Sequence, residues 1–97
     1  MKQLTVVAKI TAKEGKAEET RKALVDLIPV TLEEEGCLNY NLHDSADEEG
    51  VFLFYENWAS QELWQKHMNN QHLKDFVEKA GDLLANDIEL STWYINK

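Results

Sequence analysis

Two histidines, one glutamate and a handful of aromatics are the residues of this chain whose types and spacing suit chemistry. His67 and Trp64 stand three apart in a segment with helical patterning, so their side chains share one face. A neutral imidazole titrating near neutrality is a ready general base. Two readings of His67 stand side by side: it takes a proton from a bound molecule, or its nitrogens merely bond Tyr40, Glu56 or backbone. His72 follows five residues later, which on one continuous helix turns it away from His67 by about 140°. A break at Asn69-Asn70 weakens that argument, and a capping or pocket-rim role fits His72 better than catalysis. Glu56 lies among apolar strand neighbours. If buried, its carboxylate needs a partner, and its pKa rises without one. It can orient His67, pair with a base from a second subunit, or close a strand-end salt bridge. Tyr40, Tyr55, Trp58, Trp64 and Trp93 supply stacking surface; Tyr55 and Trp93 suit core or interface, Tyr40 and Trp64 a pocket.

Other chemistries find less support. His43, His67 and His72 do not match the spacing of a familiar metal-ligand motif, and no metal is expected. Cys37 is the single cysteine, so an internal disulfide is impossible, and with no evident base beside it a small buried strand residue is the expected role. There is no Gly-rich phosphate loop or dinucleotide fingerprint, so neither flavin nor nicotinamide is expected. The 18 acidic and 10 basic residues give a net charge of −8, which repels phosphate backbones and anionic membranes. No apolar run of about 20 residues and no signal-peptide pattern occurs, and a cytoplasmic protein is the expectation.

The elements that must position these residues can be read along the chain. Its 97 residues, 43% hydrophobic and 29% charged, fit one globular domain over 1–97. Residues 4–11 alternate as a β-strand with Leu4, Val6, Ala8 and Ile10 on one face. Residues 16–35 carry Leu24, Leu27, Ile28 and Leu32 at helical spacing; Pro29 should kink that helix, and Gly36 is a fitting residue just past its end. Residues 37–43 and 51–58 read as two strands of a hairpin. Ser60 is a natural N-cap for a helix over 61–69, interrupted at Asn69-Asn70 and resumed over 71–84. Residues 87–95 form the last strand. The order β-α-β-β-α-β, with right-handed crossovers, puts the helices on one face of a four-stranded antiparallel sheet. This is a ferredoxin-like α+β fold. The third strand is apolar on both sides, with Val51, Leu53 and Tyr55 against Phe52, Phe54 and Trp58. Whichever set the helices cover, the other leaves a large apolar patch. Two such sheets packed face to face would make a homodimer.

Four segments together resemble the antibiotic biosynthesis monooxygenase family of dimeric α/β-barrel proteins: VVAKITAKEGK at 6–16, EEEGCLNYNLH at 33–43, FLFYENWAS at 52–60 and HMNNQHLKDF at 67–76. The combination of E-E-G-C-x-x-Y, E-x-W-x-S and H-x4-H-L-x3-F carries the likeness. The resemblance implies a pocket between helices and sheet, overhung by the face bearing His67 and Trp64. It implies a cofactor-independent monooxygenase in which His67 takes a proton from a small aromatic quinol or phenol. The expected substrate contacts are Trp64, Tyr40, Glu56, His72 and Trp58. Other branches of the family imply an isomerase acting on a small hydroxycarbonyl compound, and a non-catalytic small-molecule-binding module also stays open. The haem-degrading branch is disfavoured, because the positions of its Asn, Trp and proximal His hold Ala8, His67 and Val77.

Overall fold

The computed structural model describes residues 2–96; Met1 and Lys97, the outermost residues of the single domain read from the sequence, lie outside the described residues. The elements run β1 (Leu4–Thr11), α1 (Ala17–Leu32), β2 (Cys37–Asp44), β3 (Val51–Trp58), α2 (Gln61–Met68), α3 (Gln71–Leu83) and β4 (Glu89–Trp93). The strands form one antiparallel sheet in the order β2-β3-β1-β4. The expected ferredoxin-like α+β architecture is the observed one, with the second helical segment divided at Asn69-Asn70 into α2 and α3. The Ser60 hydroxyl caps α2 by accepting from the Leu63 N–H at 3.3 Å, as its position implies.

Register decides which side of β3 the helices cover. Val6 pairs with Glu56, Ala8 with Phe54 and Ile10 with Phe52, so the apolar face of β1 selects the even-numbered residues of β3. Phe52, Phe54, Glu56 and Trp58 therefore point under the helices and are buried with Leu24, Leu27 and Phe76. Val51, Leu53, Tyr55 and Asn57 take the other face, where their strand neighbours are Val7 and Lys9 on β1 and Asn41 and His43 on β2. That face is less uniformly apolar than the strand pattern suggests. Asn57 accepts from Thr5 Oγ1 at 2.6 Å and donates to Asn39 Oδ1 at 2.9 Å, and Asn39 donates to Asn41 Oδ1 at 3.0 Å. An amide row thus crosses β1, β3 and β2 beside the exposed Tyr55 and Trp93.

The largest differences from the sequence reading are at β4 and α1, and the second matters for the site. β4 is shorter than 87–95, because its ladder with β1 spans only Lys9↔Glu89 to Thr5↔Trp93. α1 runs unbroken through Pro29 but stops at Leu32, not 35. Its last turn tightens: the Glu33 N–H reaches Val30 O at 3.3 Å and the Glu34 N–H reaches Thr31 O at 3.0 Å. Gly36, at φ +85°, then turns the chain into β2. A Cβ on Gly36 would also stand 2.8 Å from Leu63 Cβ, so the position holds the end of α1 against the start of α2. Glu34 is left off the helix and beside the α2–α3 break.

Candidate functional site

A cavity of about 210 Å³ lies between the helices and the covered face of the sheet. Ala8, Ile10, Leu24, Phe54, Leu73 and Phe76 give it an apolar lining, interrupted by Tyr40, Glu56, Trp64 and His67. His67 sits at the last turn of α2, with its ring 2% exposed, and is fixed from several sides. Its Nδ1 is 2.7 Å from Glu34 Oε2. Its ring packs on Trp58 at 4.7 Å and edge-on to Tyr40 at 5.6 Å. A carboxylate accepts only, so the neutral ring carries its proton on Nδ1 and leaves Nε2 as an acceptor. That nitrogen has no hydrogen-bond partner among the described residues. Trp64 shares the cavity wall, and its Nε1–H is buried without a partner among the described residues. The apolar lining thus holds the unspent His67 acceptor, and the unpartnered Trp64 donor is buried within the wall.

The model of the antibiotic biosynthesis monooxygenase family matches residues 3–79. The chain belongs to this family. It is 30% identical to the uncharacterized protein sll1783 of Synechocystis over 95% of its own length, and spans 63% of that protein's length. It is 28% identical to the Bacillus subtilis protein "Putative monooxygenase YcnE", over 90% of this chain and 92% of that one. Among solved structures, PA3566 from Pseudomonas aeruginosa superimposes with a TM-score of 0.94 at 30% identity, covering 100% of this chain and 97% of that one. The family resemblance read from the four sequence segments is confirmed. No helix of the described residues is long and apolar enough to cross a membrane.

Within this family fold, the candidate residues separate. Tyr40, Glu56, Trp64 and His67 come together around the cavity as expected. Trp58, expected among the substrate contacts, does not reach its wall: it is fully buried at the end of β3 and packs against the His67 ring. His72 also stands behind the wall. The break at Asn69-Asn70 restarts the helix, which brings the His72 ring to 6.0 Å from His67 despite the unfavourable spacing for one helix. His72 Nε2 lies 3.2 Å from Thr31 Oγ1 and 3.3 Å from Glu34 Oε2. His43 is remote from both, on the bare face opposite Leu53.

Glu34 is the residue that sequence reasoning missed. Three successive acids past a helix read as a solvated run that opposes the helix dipole. The pattern that could have singled it out is the tight turn before Gly36, which points the middle acid inward. Glu34, not Glu56, orients His67. Its other oxygen accepts from Asn70 Nδ2. Glu56 instead accepts from Trp58 Nε1 at 2.9 Å.

The electrostatics follow from burial. Burial pushes the His67 pKa down, and the Glu34 hydrogen bond and charge oppose it, leaving the imidazole on the neutral side. Burial raises Glu56 to about 7, against the hydrogen bond from Trp58 and with help from the Glu34 charge. Burial and the Glu56 charge push the Tyr40 phenol far above its ordinary value, so Tyr40 is a hydroxyl and never an anion. Burial likewise raises the Cys37 thiol to about 11, which removes it as a nucleophile.

Proposed function

We propose that the chain is a cofactor-independent monooxygenase that oxidises a small aromatic quinol or phenol with O2, with His67 as general base. The observation that carries this reading is the Glu34–His67 pair, which leaves one basic nitrogen beside an apolar cavity. A cavity of roughly 150 Å³ accommodates benzene. The 210 Å³ here suits a substituted single ring or a small fused pair. His67 Nε2 takes the phenolic proton, and Glu34 stabilises the imidazolium that results. The phenolate oxygen then accepts the Trp64 N–H. The phenolate is a far better one-electron donor to O2 than the phenol, which matters because triplet O2 reacts slowly with closed-shell molecules. Electron transfer, formation of the C–O bond and loss of water convert a hydroquinone and O2 into a hydroxyquinone and water. The substrate supplies all four electrons, so no external reductant enters. The apolar lining shields the radical pair from water.

An isomerase handling a phosphorylated sugar fits less well, because no Lys or Arg lines the cavity to meet a phosphate. The test is O2 uptake by purified protein across a panel of hydroquinones and naphthoquinols. Uptake well above that of His67→Ala is expected for at least one compound. Equal rates for both proteins across the panel sink the oxygenase reading, and turnover that persists under argon replaces it with the isomerase.

The same reading includes a homodimer paired through the bare sheet face. Tyr55 and Trp93 are 43% and 57% exposed there, with Val7, Val51 and Leu53 half-buried on the same face. This support for a dimer comes from the apolar centre of the face. The amide row from Thr5 to Asn41 would help fix the register of pairing, because the donors and acceptors it does not spend internally need partners once water is excluded.

A further inference from the structure

We propose that Glu34, His67 and His72 form a binding site for a divalent transition-metal ion of the zinc class. One donor atom from each residue converges within 4.8 Å of the others, and the three residues come from three separate segments: the turn after α1, the end of α2 and the first turn of α3. Glu34 Oε2 lies 2.7 Å from His67 Nδ1 and 3.3 Å from His72 Nε2. In a tetrahedral zinc site with bonds near 2.0–2.1 Å, ligand atoms stand about 3.3 Å apart. Two of the three separations are therefore within about 0.6 Å of that value, and side-chain adjustment suffices to admit an ion.

The chemistry of the donors selects the ion. Two imidazole nitrogens and one carboxylate oxygen favour Zn2+, Co2+, Ni2+ or Fe2+ over Mg2+ and Ca2+, which require mainly oxygen. The surroundings are those of a supported site. Asn70 donates to the second oxygen of Glu34 and so keeps Oε2 turned to the two rings. Trp58 holds the His67 ring from behind. Among the described residues Glu34 has no Lys or Arg partner, so its charge is met only by two imidazoles and an amide. Three protein ligands leave a fourth position for water or for Thr31 Oγ1, which is already 3.2 Å from His72 Nε2.

Binding would change what His67 offers the cavity. With Nδ1 on the metal, the single proton of the neutral ring moves to Nε2. The nitrogen that accepts in the metal-free protein then donates. No proton is gained or lost at that ring; only the tautomer changes. The ion is therefore an off-switch for base chemistry at His67. This consequence rests on the proposed oxygenation, whereas the binding itself does not.

The experiment titrates chelator-treated protein with Co2+ and then Zn2+. The expected result is one Co2+ per chain, with the visible ligand-field absorption of a low-coordinate ion, bleached by Zn2+. His72→Ala should abolish the absorption, and Glu34→Gln should weaken binding at least about tenfold. His43→Ala, on the opposite face, should bind as wild type. Far-UV circular dichroism checks that each variant folds. Histidine 15N spectra of the unsubstituted protein give a second readout: Zn2+ should move the His67 proton from Nδ1 to Nε2. Absence of a Co2+ band up to millimolar ion, undiminished binding by folded His72→Ala and Glu34→Gln, or an unmoved His67 proton overturns the site. Co2+ binding together with no O2 uptake by the chelator-treated, metal-free protein would retire the oxygenase reading and keep the metal site; uptake by the metal-free protein with no Co2+ binding would retire the metal site alone.

Discussion

The covered and bare faces of the sheet are built from alternating residues of the same strands, yet they do different work. The covered face is closed by helices, and its few polar groups, Tyr40, Glu56 and His67, are held inside an apolar wall. The bare face mixes Val7, Leu53, Tyr55 and Trp93 with Lys9, Glu89 and an amide row. A polar group on the first face is costly unless used, whereas on the second it is solvated or waits for another surface. Identical residue types should therefore respond differently to substitution on the two faces. Phe54 and Leu53 give the largest contrast. Phe54→Ala empties a fully buried ring position and should cost about 3–5 kcal/mol of unfolding free energy. Leu53→Asp should change the stability of the folded chain far less and yield monomers. Denaturant melts and size-exclusion chromatography at one fixed chain concentration check both, because the stability of a dimer depends on concentration. A Leu53→Asp protein that still elutes as a dimer would show that the bare face is not the pairing surface.

The histidines make the next comparison. His67→Ala should lower quinol-dependent O2 uptake by roughly 10²–10⁴-fold, the usual loss on removing a general base. His43→Ala, exposed on the bare face, should leave uptake unchanged. Glu34→Gln should fall between them, since an amide oxygen can still accept from Nδ1–H but no longer stabilises the imidazolium. Steady-state oxygen-electrode rates decide. A His43→Ala loss matching that of His67→Ala would contradict the assignment of chemistry to the covered face.

How much of this was legible in the sequence depends on the range of the interaction concerned. β1 and β3 begin and end where their alternation says, because period-two burial is a local signal that the ladder simply satisfies. The covered side of β3 was not legible, since both of its faces are apolar; the pairing of Val6 with Glu56 decides it. His67, Trp64, Tyr40 and Glu56 were found as candidates because their residue types are unusual on apolar faces. Glu34 was hidden by its neighbours Glu33 and Glu35 and revealed by a turn that no periodicity marks. His72 was expected at the pocket rim, and the break after Met68 brings it instead beside His67 and Glu34. In both cases a helix terminus, governed by backbone hydrogen bonds and not by side-chain pattern, moved a residue into the site.

Glu56 and Glu89 compare a carboxylate on each face. The folded-state pKa of Glu56, about 7, lies above the ordinary 4.5, so the folded protein binds the extra proton more tightly than the unfolded chain. The stability tied to that proton is fully present below about pH 4.5 and is lost as pH rises through about 7. Glu56→Gln removes the penalty of burying a charge while keeping an oxygen for the Trp58 N–H. The variant should therefore gain roughly 1–3 kcal/mol on wild type between about pH 5 and pH 8. Glu89→Gln, exposed beside Lys9, should shift stability by under about 0.5 kcal/mol at either pH. Urea melts across that range check this, and a flat difference for Glu56→Gln would mean that the carboxyl does not titrate there.

The tryptophans give the smallest expected effect and the finest resolution. Trp64 and Trp93 each carry an indole N–H, but only that of Trp93 is satisfied, by Ser91 Oγ at 2.9 Å. Trp64→Phe keeps most of the apolar wall and deletes a buried donor with nothing to bind. In the ligand-free protein this should be neutral or stabilising by up to about 1 kcal/mol. The same change should weaken binding of an oxygen-bearing aromatic about three- to tenfold, because the ligand would lose a hydrogen-bond donor. Trp93→Phe should leave that affinity untouched. Isothermal titration with a redox-inert phenol separates the outcomes. Equal affinities in wild type and Trp64→Phe would mean that the indole N–H is a tolerated cost of packing, and the polar part of recognition would then fall to His67 and Glu56.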